Sequence, residues 1–160
     1  SKFNLSLRIF QMGEELVAYI GTAEQRYGGG KLTAWAVVFP SRPSLNYCRR
    51  VRNTGRDETH FAQLCALLKI LWQVDQMNED AGRREIEKVI VKTNARRFVT
   101  SVQMELARVS SLGYVGERRH KAAIMEIIKS YRQFVALDMY FAPTSDAHVD
   151  EVNSLAKEVL

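Results

Sequence analysis

The chain has 160 residues, 46% hydrophobic and 26% charged, with a formal net charge of +5. That length and balance describe one domain able to bury a core unaided, and they exclude a disordered tail or a small disulfide scaffold. No apolar run reaches the roughly 18 residues of a membrane span, and Ser1 to Phe10 lacks a signal-peptide hydrophobic core, so no membrane partner is expected.

The positive charge favours polyanions without choosing among them. Cys48 and Cys65 lack C-x-x-C spacing and sit among apolar neighbours, which predicts buried or half-buried thiols in a reducing compartment, nucleus or cytoplasm. An initial Ser in place of Met reads as a piece of something longer.

In chain order, residues 1–15 form an N-terminal extension and 16–160 the domain. Leu16 to Gly21 and Leu32 to Phe39 are β-rich apolar runs joined through Tyr27 and the glycines 28 to 30, a predicted hairpin. Asn46 to Arg52 extends it to three antiparallel strands. Phe61, Leu64, Cys65, Leu68, Leu71, Trp72 and Asp75 repeat at three and four, the period of an amphipathic helix, with Asp57 or Thr59 as its cap. Trp35 and Trp72, within apolar runs, are expected in the core.

A polar stretch, Asn78 to Arg84, leads into Ile86 to Lys92, a strand whose Val89, Ile90 and Val91 read as buried on both faces, as in a parallel sheet. Arg96 to Val109 reads as a second helix closed by Leu112, Gly113 and Tyr114, and Ala122 to about Phe134 as a third. Val135 to Phe141 is a last strand, stopped by Pro143. Ser145 or Asp146 caps a final helix with Val149, Val152, Leu155, Ala156 and Val159 on one face.

Short motifs fall on these elements in a telling order. They are Val17 to Phe39 (VAYIGTAEQRYGGGKLTAWAVVF), Thr59 to Ala66 (THFAQLCA), Val89 to Ala95 (VIVKTNA) and Val152 to Lys157 (VNSLAK). Together they resemble fungal members of the ribonuclease H family from about Leu16 to the end. The resemblance implies an α/β fold with a five-stranded mixed sheet, three antiparallel strands then parallel ones, flanked by helices.

It also implies a site, because the family hydrolyses a phosphodiester with two divalent ions held by four carboxylates. The matching positions here are Gly21, Gln63, Asn94 and Asn153. Three neutral amides and a bare backbone bring no negative charge, so a catalytically inactive member with no metal and no cofactor is expected. Glu24, read in the hairpin turn, and Glu58, Asp150 and Glu151, read as facing solvent, are the nearby acids. Shifting the last match onto Asp150 or Glu151 gives the alternative of an active nuclease with a displaced site.

The paired amides that read an RNA/DNA hybrid in the family's minor groove are replaced by Thr59 and His60, leaving Thr59 one hydrogen bond to donate. Arg49, Arg50, Arg52 and Arg56 form the densest basic run, and Arg96 and Arg97 follow Asn94 directly. All six are candidates for phosphate contact, with Arg50 and Arg52 expected on one face. A solvated strand edge guarded by charge explains the first four equally well.

The glycines 28 to 30 lack the Lys-Ser/Thr of a phosphate loop, and His60, His120 and His148 share no zinc spacing. The expected function is a binding or scaffolding module for a protein partner in a nucleic-acid-related assembly. Direct binding of RNA, DNA or an RNA/DNA hybrid is the alternative.

Overall fold

The computed structural model describes residues 13–51, 58–112 and 136–160. β1 (Glu14–Tyr27) turns back into β2 (Gly30–Val38), and a 3-10 turn at Pro43–Leu45 leads to β3 (Tyr47–Arg50). α1 (Glu58–Ala81), β4 (Ile86–Thr93), α2 (Arg96–Leu112), β5 (Ala136–Phe141) and α3 (Ala147–Lys157) follow. The five strands lie in the order β3-β2-β1-β4-β5. β2 pairs antiparallel with β1 and β3, while β4 pairs parallel with β1 and β5.

β1 is the central strand and is buried on both sides from Ala18 to Gly21. Its even residues Leu16, Ala18 and Ile20 join Val37, Phe39, Val89 and Val91 under α1 and α2, where Leu67, Ile70, Val74, Phe98 and Val102 complete the larger core. Its odd residues Tyr19 and Ala23 join Ala34, Ala36 and Val38 under Val149, Val152 and Ala156 of α3. The sheet surface beneath α3 is built largely of alanine, and small side chains let a helix seat close to the strands.

The sequence pattern locates these elements, and the structure moves several boundaries. β1 continues six residues past Gly21, so Glu24 pairs with Thr33 inside the hairpin rather than in its turn. Only Gly28 and Gly29 make the turn, with Gly28 at φ +48°, a conformation that favours glycine.

α1 runs through Asn78 to Ala81, past the point where a polar loop is expected, and Gly82 at φ +65° follows its end. Asn78 then bridges to β4, its amide nitrogen donating to Ile86 O at 3.1 Å and its oxygen accepting from Ile86 N at 2.7 Å. Ile90 is half-buried, so β4 alternates instead of burying both faces. Asp146, not Ser145, caps α3, its carboxylate accepting from the His148 N–H at 2.9 Å.

Trp72 is the largest departure. It stands 51% exposed, whereas Trp35 is buried as expected. The buried residues of α1 are Ala62, Gln63, Leu64, Ala66, Leu67, Ile70, Leu71 and Val74, so Leu64 and Leu71 of the expected stripe are buried while the buried face as a whole turns away from Trp72. The third predicted helix, Val135 and Asp57 lie outside the described residues. No helix among the described residues is long and apolar enough to cross a membrane.

Candidate functional site

Gly21 lies in the buried middle of β1 on the face that meets α3. No side chain fits there. A Cβ would stand 2.6 Å from Asn153 Oδ1 and 2.8 Å from both the backbone carbon and Cγ1 of Val152. The same Asn153 oxygen accepts the backbone N–H of Thr22 at 3.2 Å. α3 therefore occupies the volume that a residue larger than glycine would need.

Asn94 follows the last residue of β4, and Lys92, two residues before it, pairs with Tyr19, two residues before Gly21. Its carbonyl accepts from Arg96 N at 3.1 Å, while Thr93 Oγ1 accepts from Ala95 N at 3.2 Å, and this turn opens α2. The structure thus brings Gly21 and Asn153 into contact and sets Asn94 at the same level, one strand across. Gln63 is buried on α1, the helix that packs on the opposite side of the sheet from α3.

One turn before Gln63, Thr59 sits within the first turn of α1 rather than capping it, and its hydroxyl donates to Glu24 Oε1. Lys31 Nζ reaches the same carboxylate oxygen at 3.0 Å. The Thr59 hydroxyl holds the Glu24 carboxyl below the usual range, with Lys31 adding to the shift against the opposing effect of burial. The one hydrogen bond that Thr59 has to donate is thus made within the domain.

Two divalent ions do not fit this set of residues. Magnesium needs anionic oxygen ligands, whereas Gln63, Asn94 and Asn153 offer neutral carbonyls and Gly21 offers nothing. Asn153 Oδ1 is already turned to the β1 backbone. Among the described residues no three His, Cys, Asp or Glu side chains are grouped to hold a metal ion. Asp150 and Glu151 are exposed on α3, and Glu151 lies 3.8 Å from His148 Nδ1.

A second polar cluster on the same face escaped the sequence reading. Tyr19 Oη donates to Asp146 Oδ2 at 2.8 Å, and the Tyr19 and His148 rings lie 5.2 Å apart. Burial, then the bond to Asp146 and its charge, pushes the Tyr19 hydroxyl up to about 12. The bond from Tyr19 holds Asp146 below its ordinary value. The helix cap was visible in sequence, but its tyrosine partner, 127 residues away, was not.

The basic candidates do not form one patch. Arg49 and Arg50 alternate to opposite faces of β3, and Arg50 Nε donates to the Val159 carbonyl beyond the end of α3. Arg52 and Arg56 lie outside the described residues, so their expected alignment with Arg50 does too. Arg96 and Arg97 are exposed at the start of α2, and the Arg96 guanidinium lies 3.9 Å from the Phe141 ring centroid.

Neither a protein-family model nor a curated protein matches the chain. Solved structures match its fold. A foamy viral protease-reverse transcriptase in complex with dsDNA is 16% identical with TM-score 0.64, over 89% of this chain and 92% of that one. The native Prototype Foamy Virus protease-reverse transcriptase matches at 13% identity and TM-score 0.64, over 89% of this chain but 20% of its own. LC11-RNase H1, isolated from compost by a metagenomic approach, is 16% identical with TM-score 0.60, over 91% and 94% of the two chains. It has also been solved with an RNA/DNA hybrid. These likenesses and the strand order establish a ribonuclease H-like fold.

Proposed function

We propose that this chain is a non-catalytic ribonuclease H-like module that works by binding, its partner a protein in a nucleic-acid-related assembly. The observation that carries this reading is the packing at Gly21, where Val152 and Asn153 fill the place of any side chain. A fold kept intact around neutral, packed positions suits retained architecture with discarded chemistry. Function rests on the site rather than on the fold. The half-buried free thiols of Cys48 and Cys65 suit a reducing compartment, nucleus or cytoplasm.

The test is manganese titration by calorimetry together with cleavage of a labelled RNA/DNA hybrid. Neither binding at the site nor cleavage is expected. Metal-dependent cleavage that disappears with Asp150→Asn or Glu151→Gln would overturn the reading and install the displaced site instead.

A second reading, direct nucleic-acid binding, draws on the exposed Arg96 and Arg97 beside Asn94. It draws also on the nucleic acids bound by the two solved proteins above. Its signature is a steep fall of affinity with salt.

A further inference from the structure

β3 is the last strand on its side of the sheet and pairs only with β2 among the described residues. The bond from Val51 N to Thr33 O, 2.9 Å, fixes which of its residues face inward. In an antiparallel ladder the bonded pairs alternate. Val51, Arg49 and Tyr47 therefore turn their backbone groups toward β2, and Cys48 and Arg50 turn theirs out of the sheet.

Beside this edge, α1 presents Cys65, Lys69 and Trp72, spaced to lie on one stripe of the helix. The Lys69 ammonium is held between two rings, 4.4 Å from the Tyr47 centroid and 4.3 Å from that of Trp72. Trp35 supports Tyr47 from within the core at 5.5 Å. Burial pushes the Cys65 thiol up, and the charge of Arg49 opposes that shift in part. Asp75 and Glu79 come one to two turns beyond Trp72 on α1.

We infer that an extended, acidic segment of a partner protein docks here, adding a strand to the edge of β3 that no other described strand covers. Cys48 and Arg50 bond its backbone, Arg49 and Lys69 face its carboxylates, and Trp72 receives an apolar side chain. Strand addition draws affinity from main-chain bonds and specificity from side chains beside the edge. Exposed Trp, Tyr and Arg are the residue types that dominate protein interfaces. The charge is graded, cationic at Arg49 and Lys69 and acidic beyond Trp72, so the segment's acids belong at the Arg49 end. A polynucleotide has no strand backbone to pair with this edge, and the ring faces turned to Lys69 already hold an ammonium where a base would stack.

This inference rests on the protein-partner reading of the module and gives it a surface. The probe is a set of short labelled peptides alternating Asp or Glu with Val, Leu or Phe, read by fluorescence anisotropy against the full chain. A basic alternating set and a single-stranded oligoribonucleotide run alongside. We expect at least one acidic peptide to bind and to lose about tenfold or more with Arg49→Glu, with Trp72→Ala, and with N-methylation of its own alternate amides. Both substituted residues are exposed, and the methylated peptide leaves the protein untouched.

Amide exchange should slow at Cys48 and Arg50 on binding and stay unchanged at Arg49 and Val51. If no acidic peptide binds better than the basic set, or binding ignores all three changes, the surface is wrong while the protein-partner reading survives. If the oligoribonucleotide binds and Trp72→Ala abolishes that binding, both fall.

Discussion

Asn153 stands on the β1 backbone where Gly21 has no side chain, its Oδ1 3.2 Å from Thr22 N and 2.6 Å from where a Gly21 Cβ would lie. Gly21→Ala should therefore destabilise the domain by about 1–3 kcal/mol, as overpacking of a well-filled core does. Adding Asn153→Ala should return only part of the loss, because the Val152 backbone carbon at 2.8 Å cannot retreat without moving α3. Urea unfolding of the two variants reads both steps. A Gly21→Ala protein as stable as its parent would show that α3 can yield at this contact without cost.

Restoring one carboxylate should not restore chemistry. Asn94→Asp is expected to leave hybrid cleavage absent and stability unchanged or lower, since a single acid cannot hold two ions and a half-buried charge without a partner is costly. Restoring all four positions should lose folded protein before gaining activity, because Gly21→Asp displaces α3. Cleavage assays with circular dichroism on both variants check this, and any gain from Asn94→Asp alone would contradict it.

The Tyr19–Asp146 bond should show at both ends of the pH scale. Tyr19 sits at about 12 when folded, against about 10 unfolded. Its contribution to stability is thus complete below about pH 10 and is lost as pH rises through the folded value. Asp146 has the opposite sign, because its folded value is lowered. Its contribution is present above the unfolded value near 4 and is lost as pH falls through the folded one.

Absorbance at alkaline pH should show one of the six tyrosines titrating late. That phase should vanish in Tyr19→Phe and move to lower pH in Asp146→Asn. Asp146→Ala should also cost about 1 kcal/mol through loss of the α3 cap.

Polynucleotide binding is expected to be weak, indifferent to sequence and largely gone at physiological salt. Arg96→Ala with Arg97→Ala should leave the slope of log affinity against log salt nearly as it was. A slope flattened by about two units, the mark of two lost phosphate contacts, would promote direct nucleic-acid binding. Arg50→Ala should act differently, lowering stability by roughly 0.5 kcal/mol because Arg50 closes on the carbonyl of Val159.

The strand order was legible because hydrophobic runs and turn residues are local signals. The apolar helix around Leu67 was harder. Its run from Leu64 to Trp72 is apolar nearly all round, so spacings of three and four fit two neighbouring stripes, and only tertiary packing selects the one that leaves Trp72 outside. Glu24 was misplaced because three consecutive glycines widen the apparent turn, whereas two suffice. The crowding at Gly21 was beyond reach, since it depends on how deeply α3 sits on the alanines of β2. The Lys69–Tyr47 contact and the Tyr19–Asp146 bond join residues far apart in sequence, where no periodicity connects them.

The sheet separates two apolar clusters of unequal size, the larger under α1 and α2 and the smaller, alanine-rich one under α3. α3 covers the smaller cluster and not the larger, so a local opening of α3 would expose the one and leave the other covered. Its detachment uncovers the bare backbone at Gly21 and frees the Val159 carbonyl that holds Arg50. A partner gripping the outer strand beside Arg50 would then tighten or loosen the helix across the sheet, joining occupancy at one edge to unfolding at the other face.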